Sequence, residues 1–240
     1  MIGSSALMRR GLTEVLQHIK HRSAFGEKLI NEPLMRNVVA DLCIELEAAL
    51  YMTYRAAVCL NEPSSKNEHL LRILTPIGKY WITKRAIPFL GEAMECLGGN
   101  GYIEDSILPR LYREAPVNAI WEGSGNVQCL DLMRALNKTP QLLTILLEEL
   151  NLSKGKVASY DAFLAVFNKN IDQYTSDQFY ARIFMSNLAL LVQGASLIRF
   201  SPIENATLFC DSRLTGESSY QFGMLKNVKL VDQILKEYVF

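Results

Sequence analysis

The chain has 240 residues, 49% of them hydrophobic, and its 25 basic and 25 acidic side chains cancel to a formal net charge of zero. That size and apolar share suit a sizeable core, in one large domain or two small ones, and a neutral chain has no field to attract a polyanion. Five scattered cysteines and three histidines show no metal-ligand spacing, so the cysteines read as free thiols of a reducing compartment.

The apolar period is helical throughout. Residues 4–22 form a first amphipathic helix on Met8, Leu12, Val15, Leu16 and Ile19, with Ser4 or Ser5 as cap and Gly11 inside it. Arg9 and Arg10 read as its solvated face. Residues 33–61 form a long second helix with Pro33 in its first turn, where proline is tolerated. Residues 67–97 form a third, nearly apolar all round and expected to be buried between neighbours. Pro76 and Pro88 should kink or break it. Helix resumes around Gly125 and runs to Asn137. Beyond it, helices are expected at about 140–151, 156–173, 177–200 with Asp177 as N-cap, 204–213 and 217–238. No strand pattern, repeat or low-complexity segment is evident. No apolar run reads as long enough to cross a membrane, and the N-terminus lacks the order of a signal peptide.

The fold expected is therefore all-α: a four-helix up-and-down bundle over residues 1–138, with helices 4–22, 33–61, 67–97 and the 125–136 region, and a helical extension over 139–240.

The unusual residues concentrate between Leu97 and Gln128. Gly98, Gly99 and Gly101 break the apolar run. A short charged and aromatic segment, Pro109 to Glu114, follows. Glu122 then stands between Trp121 and Gly123, with Ser124, Gly125 and Asn126 behind it. Glycines let a backbone approach a ligand closely. An acid between an aromatic ring and glycine-rich backbone is open to partial desolvation, which raises its pKa and suits it to act as a base. The same residues also read as a plain loop between helices, with Glu122 favoured at a helix N-terminus.

Three blocks resemble the acyl-CoA dehydrogenase family of flavoproteins: Arg22-x-x-Phe25-Gly26, Glu95-x-Leu97-Gly98-Gly99, and Glu122-Gly123-Ser124-x-Asn126. They cover roughly residues 2–137, in the family's order. The approach Arg113-Glu114-x-Pro116-Val117-Asn118-x-Ile120-Trp121 looks most like its AidB-like branch. The resemblance implies FAD as cofactor and an acyl-CoA thioester as substrate. It implies that Glu122 is the base removing the α-proton while the β-hydrogen leaves as hydride. It places Arg22 and Phe25 against the FAD of a neighbouring subunit, with Glu95, Gly98 and Gly99 beside that same flavin. Ser124 and Asn126 would touch the chain's own FAD, and Trp121 and Gly123 would line the acyl pocket. A homo-oligomer, dimer or tetramer, follows from sites shared between subunits. Glu95 stands for a common Gln, Ser124 for Thr and Asn126 for Gln, so the last two side chains are smaller than the usual ones. The base that some members carry at the start of the first helix falls before Met1 by ungapped count. So do the helical and β-domains that cover the flavin in the family, and this chain is expected to be the C-terminal domain, inactive when isolated. A cytoplasmic or mitochondrial-matrix enzyme is one reading. The other is a non-catalytic binding or oligomerisation module, including one associated with nucleic acid. Nine basic against ten acidic residues in 141–240 argue against that variant.

Overall fold

A computed structural model describes residues 1–24, 26–216 and 221–239. Its elements are α1 (Ile2–His21), β1 (Ser23–Ala24), β2 (Glu27–Lys28), α2 (Pro33–Asn61), α3 (Ser65–Cys96), α4 (Gly99–Tyr102), α5 (Leu108–Asn118), α6 (Gly125–Lys138), α7 (Gln141–Asn151), α8 (Ala158–Ser176), α9 (Ala181–Phe200), α10 (Ile203–Arg213) and α11 (Val228–Val239). The all-α expectation holds. The exception among the described residues is a minimal antiparallel hairpin, with Ser23 opposite Lys28 and Ala24 opposite Glu27. Gly26 turns it at φ 92°.

Helix α3 is the axis around which the others pack. Helices α1, α2, α5 and α6 all lie against it, as do α7 and α9 of the extension. This explains its apolar residues on every face, from Leu70 and Ile73 to Phe89 and Leu90, all buried. Directions follow from side-chain pairs. Gly11 of α1 sits against Leu90 and Ala93, and Met1 against Gly78, so α1 runs parallel to α3. Ser5 meets Thr53 at 3.3 Å, and Arg85 pairs with Glu45 at 2.7 Å, so α2 runs opposite to both. Arg72 holds Asp131 through two bonds of 2.7 and 2.8 Å, which sets α6 antiparallel to α3. The extension does not stand apart, since α9 and α11 pack on α2.

Several local expectations are corrected. Helix α1 starts at Ile2, so neither serine caps it; Ser4 and Ser5 are buried. Gly11 is needed for packing, because a Cβ there would lie 2.6 Å from Leu90 Cδ2. Pro76 and Pro88 do not interrupt α3, which is continuous and buried on several sides; tertiary contacts outweigh two missing N–H donors. The segment from Pro109 to Glu114 is not a loop but part of α5, started by Pro109 in its first turn. The helix expected over 217–238 begins at Val228; residues 217–220 lie outside the described residues, and 221–227 are irregular. Asp177 does cap, accepting the Phe179 N–H at 2.7 Å, but it caps a 3₁₀ turn ahead of α9.

Contrary to the sequence reading, Gln178–Phe200 is long and apolar enough to cross a membrane. Its most apolar window is 67% buried within the fold, which makes it a core helix by environment. All five cysteines are free and buried, as expected.

Candidate functional site

Helix α5 runs back along α3 from the glycine turn, with Tyr112 3.6 Å from where a Gly91 Cβ would stand. It ends at Asn118. Ala119 donates to the Pro116 carbonyl at 3.0 Å, and Ile120 and Trp121 each donate to the Val117 carbonyl at 3.0 Å. The chain then reverses through Glu122 at φ 55° and Gly123 at φ 102° before α6 begins. Among the described residues, Glu122 is the one non-glycine at positive φ. Left-handed backbone disfavours a residue with a Cβ, so neighbours must hold it. Gln128, on the first turn of α6, does so: its Nε2 donates to the carbonyls of Glu122 at 3.1 Å and Gly123 at 3.2 Å. Gly125 is buried against Tyr80 and Lys84 of α3, where a Cβ would come within 2.7 Å of Lys84 Cε. The turn is thus pinned to the middle of α3.

Glu122 itself is exposed, and Trp121 is 57% exposed beside it. The partial desolvation expected of this carboxylate is absent: Trp121 turns to solvent and the glycines leave the acid uncovered. Ser124 is exposed, and its hydroxyl does not cap α6. Asn126 Oδ1 accepts from Arg182 Nε at 2.8 Å, a bond from α9 that no sequence signal announced. Lys79 of α3 also stands here. It donates to the Asn118 carbonyl. Burial pushes its ammonium below the ordinary lysine range, and the Glu122 charge pulls it partly back.

The remaining candidates sit at another level. Lys79 and Glu95 are about 24 Å apart along α3, at about 1.5 Å per residue. Glu95 is exposed at the end of that helix. Gly98 follows at φ 58°, and neither Gly98 nor Gly99 has any atom within 4 Å of where a Cβ would stand, so this backbone face is open. Gly101 differs: a Cβ there would strike the Met94 carbonyl oxygen at 2.1 Å. Glu92 lies nearby, its carboxyl pushed above the usual range by burial and by the charges of Glu95 and Asp41. Because α1 runs parallel to α3, its C-terminal end carries Arg22 toward this same end of the bundle. Arg22 is exposed, with no ion-pair partner among the described residues. Phe25 lies outside the described residues. The structure therefore brings Trp121, Glu122, Gly123, Ser124 and Asn126 together, and sets Arg22, Glu95, Gly98 and Gly99 apart from them. Lys79, Gln128 and Arg182 were missed. Each reaches the turn through tertiary packing, which spacing in one sequence does not encode.

With this geometry in view, comparison with known proteins is decisive on family. The description "Acyl-CoA dehydrogenase, C-terminal domain" matches residues 1–137. The chain belongs to the acyl-CoA dehydrogenase family. It is 38% identical over 214 residues to the putative acyl-CoA dehydrogenase AidB of Escherichia coli K12, covering 89% of this chain and 39% of that protein. The Caenorhabditis elegans ACDH-11 structure, solved in complex with C11-CoA, aligns over 98% of this chain and 44% of its own, with TM-score 0.78 and 25% identity. A Bacillus anthracis acyl-CoA dehydrogenase complexed with FAD shares the fold at TM-score 0.71 and 15% identity, over 98% of this chain and 49% of its own. The chain thus spans less than half the length of each.

Proposed function

We propose that this chain is the C-terminal domain of a flavin-dependent acyl-CoA dehydrogenase of AidB-like type, with Glu122 as the base that removes the α-proton of an acyl-CoA thioester. The division proposed is a bundle over 1–138 and an extension over 139–240. The observation that carries the reading is the Glu122 turn. A strained, non-glycine residue is held at positive φ by Gln128, with its carboxylate uncommitted to any hydrogen bond among the described residues. Strain of this kind costs about 1–3 kcal/mol and persists where surrounding structure over-determines it, often at active sites.

The residues fit an FAD group in part. The open backbone face at Gly98 and Gly99 offers the close approach a cofactor needs, and the Arg22 guanidinium, without an ion-pair partner among the described residues, can take a pyrophosphate through two parallel bonds. Phe25 and Glu95 complete that group by resemblance. Ser124 offers a hydroxyl without a partner among the described residues for the second contact region, and Asn126 can join it through its amide nitrogen while Arg182 holds its oxygen. The cofactor's contribution is to take up the β-hydrogen as hydride. Glu122 accepts the α-proton and becomes the neutral acid. Trp121 and Gly123 flank the acyl chain. An exposed carboxylate is a poor base for a weak carbon acid, so water must be excluded when substrate binds. The exposed Ile120, Trp121 and Val127 around the turn are surface that further domains or a second subunit of a dimer or tetramer can cover. Five reduced cysteines favour an intracellular, reducing compartment.

The test is Glu122→Gln in the full-length parent, mixed anaerobically with acyl-CoA. Gln keeps the volume and loses the proton acceptor, so flavin bleaching should slow by about 10²–10⁴-fold with substrate affinity little changed. Bleaching at the parental rate would remove Glu122 as the base.

A further inference from the structure

A base needs its lone pairs free for the substrate and its position fixed by something other than a bond to them. The Glu122 turn meets the first condition, and Gln128 fixes its far side at the start of α6. The near side begins at Asn118, the last residue of α5. Helix ends leave carbonyls without internal partners, and a cation is favoured there. Asn118 cannot brace the turn with its own side chain, which is folded back to donate to the Glu114 carbonyl at 3.2 Å. Its backbone carbonyl instead accepts from the ammonium of Lys79.

We propose that Lys79 is the positioning residue for Glu122: its ammonium, carried by α3, clamps the Asn118 carbonyl at the end of α5 and stands within electrostatic reach of the Glu122 carboxylate. This rests on the reading of Glu122 as the base. One ammonium thereby serves both the backbone before the turn and the charge on it. Lys79 is half-buried, so the attraction is less screened than at an open surface. The two charges do not close into a direct ion pair among the described residues, which leaves the carboxylate oxygens free. In the 240-residue chain the α-ammonium of Met1 is also within reach of both: burial and Lys79 push it below its ordinary range, while Glu122 opposes them. Lysine suits the task because its ammonium offers three donors on a flexible stem and spends one on Asn118.

The test uses the 240-residue chain, without FAD or turnover. Lys79→Met should speed amide exchange at Ala119, Ile120 and Trp121 by about tenfold relative to α3, as expected for losing a charged hydrogen bond. Lys79→Arg should recover most of the protection. In a separate arm that leaves Lys79 in place, Glu122→Gln should lower the pH at which Lys79 titrates, followed by NMR of its ¹³Cε. A purely structural lysine would not move with that substitution. If Lys79→Met does not fold, the titration arm decides alone. Unchanged exchange at 119–121 in a folded Lys79→Met chain overturns the clamp, and an unmoved Lys79 titration overturns the coupling. The identity of the base is tested separately by flavin bleaching, so the two readings fail in different experiments.

Discussion

Arg213→Met should cost this chain about 3–5 kcal/mol, because it strands two buried carboxylates. Asp41 is 0% exposed and Glu45 2% exposed, both on α2. All four of their oxygens are engaged. Arg213 of α10 bonds Asp41 Oδ1, and its Nε and Nη2 reach Glu45 Oε2 at 3.3 and 3.2 Å. Arg85 holds Glu45 Oε1 at 2.7 Å, and the Gly223 N–H holds Asp41 Oδ2 at 2.8 Å. Removing Arg213 orphans one oxygen on each acid, whereas Arg85→Met orphans only one and should cost less than half as much. At about 2–4 °C per kcal/mol for a chain of this size, the melting temperature should fall by roughly 6–20 °C. Urea unfolding followed by circular dichroism gives the free energy. The pH dependence gives the sign. Burial pushes Glu45 up, but Arg85 and Arg213 more than offset it, leaving its carboxyl below the usual range. A depressed acid contributes fully above the ordinary glutamate pKa of about 4.3, and the contribution is lost as pH falls through the lower folded value. In Arg213→Met only Arg85 is left to oppose the burial of Glu45, so part of the loss should be recovered by mild acidification. A cost under about 1 kcal/mol, with no change in the acid limb, would show that the network is not held together by these charges.

Three further outcomes are expected. Gly101→Ala should destabilise by about 1–3 kcal/mol, because the new Cβ meets the Met94 backbone rather than a movable side chain; urea midpoints at constant slope check this. Glu122→Gly should stabilise the chain by about 0.5–1 kcal/mol, since glycine adopts φ 55° without penalty; a loss of stability in calorimetry would mean the carboxylate contributes more than the strain removes. The isolated chain should bind FAD weakly, since the Arg22 and Ser124 regions lie at different levels of α3 and neither encloses a ligand; purification with a stoichiometric yellow chromophore would contradict it.

What the sequence disclosed was periodic or local. Helices α1, α2, α6 and α9 were legible because their apolar residues recur at helical spacing, and α3 because its long run is apolar nearly all round; Pro33, Asn61-Glu62-Pro63 and Pro202 mark ends. Helix α5 was not, because Pro109, Arg110 and Arg113 look like loop chemistry until Arg113 is seen paired to Glu104 at 2.5 Å and Leu108, Leu111 and Ala115 are seen buried. Helix α11 was drawn too long because apolar residues from Phe222 onward extend its pattern backward, while Phe222 in fact packs edge-on to Phe89 at 6.1 Å. In the candidate site, the order of the three blocks was visible and the environment of Glu122 was not. Desolvation depends on which side of a turn faces water, and a one-dimensional pattern does not contain that. The Asn126 bond to Arg182, 56 positions away, is invisible for the same reason.

The separation along α3 bears on how such a chain can work. One end carries the open glycine backbone and Arg22, exposed there; the middle carries the Glu122 turn, with Gln128 bonded to its backbone and Lys79 to the Asn118 carbonyl before it. A distance of about 24 Å along one rigid helix is too long for a side chain to bridge. If both regions serve flavins, one extended cofactor must run the length of the bundle or two cofactors must sit at its two levels. The second arrangement requires that each region be completed by another body, because each is exposed on one side. Under the proposed role, the exposure of Glu122 fits a base that lies on one wall of a pocket completed by another body. The backbone strain at φ 55° is a property of that wall alone. Gln128 holds it there from α6 through the carbonyls of Glu122 and Gly123.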